Sequence, residues 1–150
     1  MTKIGFLHPG AMGISLAASA QNSGHEACWI SDGRSPETRQ RAEEHHLSDL
    51  QTLPLLTQAC SVIVSICPPA AAEAVAKDVA NLSFKGLYLD ANAISPQRAL
   101  RIQEIVENTH KIKKEKIDFE RQIKETSDKN EKDRLEELTK RQTPVQAIRI

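Results

Sequence analysis

Residues 4–13 read Ile4-Gly5-Phe6-Leu7-His8-Pro9-Gly10-Ala11-Met12-Gly13, and this stretch decides the fold. The apolar run Lys3–His8 predicts a short strand, and the alanine-rich run Ala11–Ser23 predicts a helix. The turn between them carries glycine at the second and third positions of the pattern G-x-G-x-x-G, with His8 at the first. Gly10 lets the backbone approach a pyrophosphate that a Cβ would repel, and Gly13 lets the helix pack closely on the strand. The opening amides of the helix and its positive dipole end then hold the phosphates. The first position favours glycine because the turn is tight, so His8 is expected to sit under strain or to mark a slightly different turn. Dinucleotide binding is the expectation; a merely structural strand-to-helix turn is the alternative.

Working outward, strand and helix patterns alternate. Glu26–Ser31 (EACWIS) predicts a second strand, and Ser35-Pro36-Glu37 a helix start, with serine as cap and proline at the first helical position, leading to about His46. A short helix is expected over Leu53–Ala59. Ser61–Cys67 (SVIVSIC) is a continuous β-rich run of the kind buried on both faces. Pro69–Leu82 predicts a helix, Gly86–Asp90 (GLYLD) a strand, and Ser95-Pro96 opens a helix that runs past Val106. Strands separated by helices pair in parallel through right-handed crossovers, with helices on both faces. The expectation is an α/β, doubly wound, Rossmann-type parallel sheet.

Composition divides the chain. All six glycines and six of the seven prolines precede residue 100, whereas residues 111–141 are mostly Lys, Arg, Glu and Asp. The break predicts a dinucleotide-binding domain over residues 1–107 and a charged tail over 108–150. Lys plus Arg and Asp plus Glu each number 20, so no global field draws the chain to nucleic acid or to an anionic membrane. The N-terminus has no signal-peptide pattern, and no apolar run reaches the roughly 18 residues of a membrane span. Cys28, Cys60 and Cys67 lack disulfide or metal-ligand spacing and read as small buried hydrophobes, which suits a reducing, cytoplasmic compartment. His45-His46 and His110 have no ligand partners at metal spacing and read as surface residues, so no metal site is expected.

The run Ile4–Gly13 resembles the I-G-F-x-G-x-G-x-M-G of the β-hydroxyacid and 6-phosphogluconate dehydrogenase superfamily. Arg34-Ser35-Pro36-Glu37 is similar to that family's N-R-T-P-E. Ser65-Ile66-Cys67-Pro68-Pro69 resembles the loop that passes the nicotinamide ribose, and Asp90-Ala91-Asn92-Ala93-Ile94-Ser95-Pro96 resembles the D-x-S-T-x-S-P that borders the substrate. The wording HPGAMG, SICPPAAAE and DANAISP is similar to a bacterial subgroup of NAD(P)-dependent oxidoreductases related to 6-phosphogluconate dehydrogenase, over about residues 3–107. The resemblance implies that His8, Pro9, Gly10, Ala11, Met12, Gly13, Asp32, Arg34, Ser35, Cys67, Pro68 and Pro69 bind the cofactor. It implies that Asn92 and Ala93 face the substrate, with Asn92 in place of the family's serine. The family's catalytic lysine lies in a glycine-rich segment of a second domain, and no glycine follows Gly86 here, so no catalytic residue is assigned.

Asp32 and Arg34 bear on the choice of cofactor. An acid after the second strand favours NAD, whereas an arginine accommodates the 2′-phosphate of NADP; the resemblance to N-R-T tips the expectation to NADP, with NAD as the alternative.

In the tail, residues 110–125 have high helix propensity, with Ile105, Ile112 and Phe119 at heptad spacing and Ile123 beside them. Thr126-Ser127-Asp128 is expected to interrupt, with a second helix to about Arg141 and a short strand over Thr143–Ile150, giving a helical hairpin and strand. Ile117-Asp118, Gln122-Ile123, Thr126-Ser127-Asp128, Leu138, Lys140, Val145 and Ile148-Arg149 weakly resemble the helical hairpin of bacterial-type chaperonins, with Thr143-Pro144 in place of Gly-Gly. Chaperonin activity is not implied.

Three functional readings follow. The first is the cofactor-binding module of an NAD(P)-dependent oxidoreductase without its catalytic second domain, whose small-molecule substrate the sequence does not name. The second is a non-catalytic dinucleotide-binding or interaction protein that dimerises through the tail. The third is a recombined or artificial chain.

Overall fold

A computed structural model describes residues 1–141, apart from the side chains of residues 109–117, 123, 126 and 138–141. The backbone falls into two compact units that meet between Lys111 and Ile112.

The first unit is a parallel sheet covered on both faces. Its strands are β1 (Lys3–Phe6), β2 (Glu26–Trp29), β3 (Ser48–Asp49), β4 (Val62–Ser65) and β5 (Leu87–Asp90), in the spatial order β3-β2-β1-β4-β5. The helices are α1 (Ala11–Asn22), α2 (Pro36–Glu44), α3 (Leu53–Ala59), α4 (Ala72–Asn81, entered through a 3₁₀ turn at Pro69–Ala71) and α5 (Pro96–Arg141). The α/β doubly wound expectation holds. The four strands read from the sequence are present, each shorter by one to three residues than the run that announced it.

β3 was not legible beforehand. It has two residues, and it is a strand only because Cys28 and Trp29 of β2 pair with Ser48 and Asp49.

Side chains on a strand alternate between faces, so one strand feeds two cores. Ala27 and Trp29 of β2 join Phe6, Val64 and the α1 residues Ile14 and Ala17 on one face. Cys28 and Ile30 join Leu7, Ile63, Leu56 of α3 and Val79 of α4 on the other. Burying side chains the size of Phe6 or Leu56 contributes about 1.5–3 kcal/mol each. Beyond β4 the cover thins on the first face, where Leu87 and Leu89 are exposed.

Two helix starts follow the serine-proline rule. The Ser35 hydroxyl accepts the Thr38 amide at 3.3 Å with Pro36 next to it, and the Ser95 hydroxyl accepts the Arg98 amide at 3.4 Å before Pro96. Each such cap stabilises its helix by about 1 kcal/mol.

One expectation is corrected. α5 continues through Thr126-Ser127-Asp128 as a single 46-residue helix, without the break in helical structure a hairpin needs. Serine, threonine and aspartate cost well under 1 kcal/mol each in a helix interior. Lys124 and Glu125 stand four residues before Asp128 and Lys129, a spacing that supports a continuous helix, and no glycine or proline lies between Gln97 and Arg141. The expected strand at Thr143–Ile150 lies outside the described residues. Among the described residues no helix is long and apolar enough to cross a membrane.

Candidate functional site

The sheet order reverses between β1 and β4, the point at which crossovers on opposite faces leave a crevice at the carboxyl ends of the strands. A cleft of about 380 Å³ opens there. Its lining comes from the exits of β1, β4 and β5: His8, Gly10, Met12 and Gly13 from the first, Ile66–Pro69 from the second, Ala91–Ala93 from the third.

β1 delivers the chain through buried Leu7 and Pro9 to Gly10, whose amide donates to the His8 carbonyl at 2.8 Å. Gly10 begins α1 in an extended conformation, and no side chain caps the helix. The first amides of α1 are therefore left for an external acceptor. A Cβ at Gly10 would meet nothing within 4 Å, so the space above it is open. At Gly13 a Cβ would collide with the His8 carbonyl and stand 3.0 Å from Ile66 Cγ2. The third glycine is a packing requirement of this turn.

His8 resolves the question its position raised. Among the described non-glycine residues only His46, Gln51 and Ser83 have positive φ, so His8 fits the turn without left-handed strain. Burial first, and the charge of Arg34 second, push its imidazole from the ordinary 6.5 down to about 4. The folded state thus holds His8 neutral. Above pH 6.5 folded and unfolded chains are both neutral there; as pH falls toward 4 the unfolded chain takes up a proton that the folded chain refuses, and stability is lost. His8→Asn is expected to reduce the loss of urea stability between about pH 7 and about pH 5, measured side by side with the parent chain. Equal losses in both chains would remove His8 from the acid response.

Arg34 is half-buried, and burial lowers its pKa while the charge of Asp32 opposes that shift. Its Nε, like His8 Nδ1, is buried without a hydrogen-bond partner. The loop that carries it is pinned by a residue the sequence reading passed over: Arg39 donates to the Ser31 carbonyl at 2.6 Å and to the Arg34 carbonyl at 3.3 Å. An arginine at the fourth position of a helix carries no pattern that announces such a role. Ser35 is engaged as the α2 cap, and Asp32 is exposed. Asp32, Arg34, Ser35, Pro9 and Ala11 do not line the cleft, whereas the other proposed contacts do.

The lining that follows β4 departs from the sequence reading at Cys67. Cys28 and Cys60 are buried, as expected of small hydrophobes, but Cys67 is only half-buried and lines the cleft. Burial pushes its thiol up, which keeps it protonated. Asn92 also lines the cleft, and its carboxamide is already engaged: Oδ1 accepts the Cys67 amide at 2.6 Å and Nδ2 donates to Ser65 Oγ at 3.3 Å. Ser65 is fully buried at the end of β4. Beneath it, burial pushes the Tyr88 phenol up to about 12.

The open space at Gly10, the uncapped helix start and the orphaned nitrogens of His8 and Arg34 all suit a phosphate-bearing dinucleotide. The family model described as NADP oxidoreductase, coenzyme F420-dependent, matches residues 3–94. Among solved structures, a conserved protein described as structurally similar to 3-hydroxyacid dehydrogenases is 27% identical, with a TM-score of 0.65, covering 70% of this chain and 40% of its own. Mycobacterium tuberculosis 3-hydroxyisobutyrate dehydrogenase is 22% identical, with a TM-score of 0.63, covering 73% of this chain and 38% of its own. An imine reductase from Pseudomonas sp. shares the fold at 22% identity and a TM-score of 0.58, again covering 73% and 38%. The chain therefore spans about two fifths of the length of these structures. A comparison with curated proteins gives no match.

Proposed function

This chain belongs to the family of NADP oxidoreductases, coenzyme F420-dependent, and from that premise we propose that residues 1–107 are the NADP-binding domain of an oxidoreductase of the β-hydroxyacid and 6-phosphogluconate dehydrogenase type. The observation that carries the reading is the cleft at the β1/β4 reversal, bounded by an uncapped helix start on one side and by Cys67-Pro68-Pro69 on the other. In this reading the amides of Ala11, Met12 and Gly13 and the bare backbone of Gly10 take the pyrophosphate. His8 and Pro9 shape the turn. Arg34 takes the 2′-phosphate, with Asp32 and Ser35 beside it, and Cys67–Pro69 flank the nicotinamide ribose. Bound in this way, a nicotinamide cofactor supplies hydride transfer to or from a carbonyl- or imine-type carbon of a small substrate. Asn92 and Ala93 border the place that substrate would take.

The preference for NADP over NAD rests on Arg34, a permanently charged residue with an unpaired buried Nε next to His8. Calorimetric titration of the 150-residue chain with NADPH, NADH and coenzyme F420 tests the reading, and tighter binding of NADPH is expected. Arg34→Ala is expected to weaken NADPH by roughly 1.5–3 kcal/mol and to leave NADH nearly unchanged, the scale of one charge-assisted contact. Equal losses would show that Arg34 does not read the 2′-phosphate. No binding of any of the three would overturn the domain assignment.

Residues 108–150 are proposed to be a separate tail that brings two copies together, a reading supported by the exposure of Phe119 on the described part of α5. The three free cysteines fit a cytoplasmic location. Turnover is proposed to need a second wall, such as the remaining three fifths of the longer structures contribute. The 150 residues alone are then a binding module.

A further inference from the structure

Asn92 stands where the family resemblance implies a substrate-facing serine, but the structure gives its side chain other work. Its backbone amide donates to Asp90 Oδ1 at 2.8 Å, its Oδ1 accepts the Cys67 amide at 2.6 Å, and its Nδ2 donates to Ser65 Oγ at 3.3 Å. The carboxamide thus spans from the exit of β5 to the exit of β4, with its acceptor and one donor hydrogen committed.

The partner on β4 is the telling one. Cys67 is followed by Pro68 and Pro69, neither of which has an N–H. The Cys67 amide is therefore the last backbone donor before the two prolines that flank the cleft. A serine hydroxyl, one bond closer to the backbone than Oδ1 of asparagine, would not bridge the two loops in the same way. Ser65 is fully buried, so the other anchor of the latch is fixed in the core.

We infer that Asn92 is a positioning residue: it sets the Cys67-Pro68-Pro69 wall against which the nicotinamide half of the cofactor rests, and it is not the substrate contact that its place in the motif implies. The inference rests on the proposed cofactor reading and assigns this residue a task within it. It also separates the two ends of the ligand. Arg34 and the α1 start would hold the adenosine and pyrophosphate end, which Asn92 does not touch, whereas the nicotinamide end depends on the wall.

The experiment compares NADPH with 2′,5′-ADP, which carries the adenosine 2′-phosphate but no nicotinamide, by calorimetry on the full chain. Asn92→Ala and Asn92→Ser are expected to weaken NADPH about tenfold, on the scale of one well-made buried hydrogen bond, and to leave 2′,5′-ADP within about twofold. Asn92→Asp keeps an acceptor for the Cys67 amide and can accept a hydrogen bond from Ser65, so it is expected to retain most of the NADPH affinity. NADPH fluorescence supplies a second readout, with the shift on binding diminished in the alanine and serine variants and preserved in the aspartate variant.

A purely structural role would lower the melting temperature and weaken both ligands together, which would overturn the inference. Unchanged NADPH affinity in Asn92→Ala would overturn it as well. Failure of the parent chain to bind either ligand would instead remove the cofactor reading on which it rests. If Asn92→Ala does not fold, Asn92→Ser and Asn92→Asp carry the comparison.

Discussion

Gly10→Val is expected to reduce NADPH affinity at least about a hundredfold while leaving the fold in place. The two halves of this expectation have different causes. Gly10 has φ −70° and ψ −170°, an extended conformation that any residue adopts. A Cβ there meets nothing within 4 Å. Folding therefore loses only the small preference for glycine over valine at a helix cap, under about 1 kcal/mol. The same open space is where a pyrophosphate would lie against the backbone, and two added methyl groups would occupy it. Thermal melting and calorimetry on one preparation check both halves. Full affinity in the variant would end the assignment of this loop to phosphate binding.

Gly13→Ala should do the reverse. Its Cβ would overlap the His8 carbonyl and press on Ile66. The first of these is backbone, held by the Gly10 amide and by the strand before it, so it cannot swing aside as a flexible side chain would. Alanine favours helix over glycine by up to about 1 kcal/mol in a helix interior, and less in the first turn. Overpacking against a fixed group costs about 1–3 kcal/mol and occasionally more. The collision is expected to win, with a net loss of roughly 2 kcal/mol and a melting temperature lower by roughly 10 °C in a domain of this size. Binding should fall with it, because α1 must move away from β1. A stable Gly13→Ala chain would mean that the helix can shift at little cost.

These two glycines look alike in the sequence, and the difference between them shows how far the sequence reads. The order of elements was legible because the apolar runs at Lys3, Glu26, Ser61 and Gly86 alternate with capped helical stretches, and Ser35-Pro36 and Ser95-Pro96 mark their helix starts without ambiguity. β3 was not, because two polar residues become a strand only through the partner beside them. Thr126-Ser127-Asp128 carries the residue types of a helix cap, yet nothing in them forbids helix, and α5 runs through them. In the site, the residues that make the cleft were legible from the loop motifs. What escaped was who holds whom. Arg39 pins the Arg34 loop from a position with no motif, and Asn92 is bound to Cys67, a contact between two loops 25 residues apart. Such pairings come from the sheet order, which no local pattern contains.

The relaxed backbone at His8 bears on how chains of this kind are searched for. A pattern that weights the three glycines of the phosphate loop equally scores this loop as one-third wrong, and a strict filter discards it. The backbone assigns quite different weights. The first position tolerates a bulky imidazole at ordinary φ, the second meets no other part of the chain, and the third is constrained by a carbonyl within the same turn. A search profile built from those tolerances would keep the third glycine nearly invariant, hold the second for chains that bind a dinucleotide, and free the first. It would then recover relatives that glycine counting passes over, and it would separate loops that have kept the turn but lost the ligand.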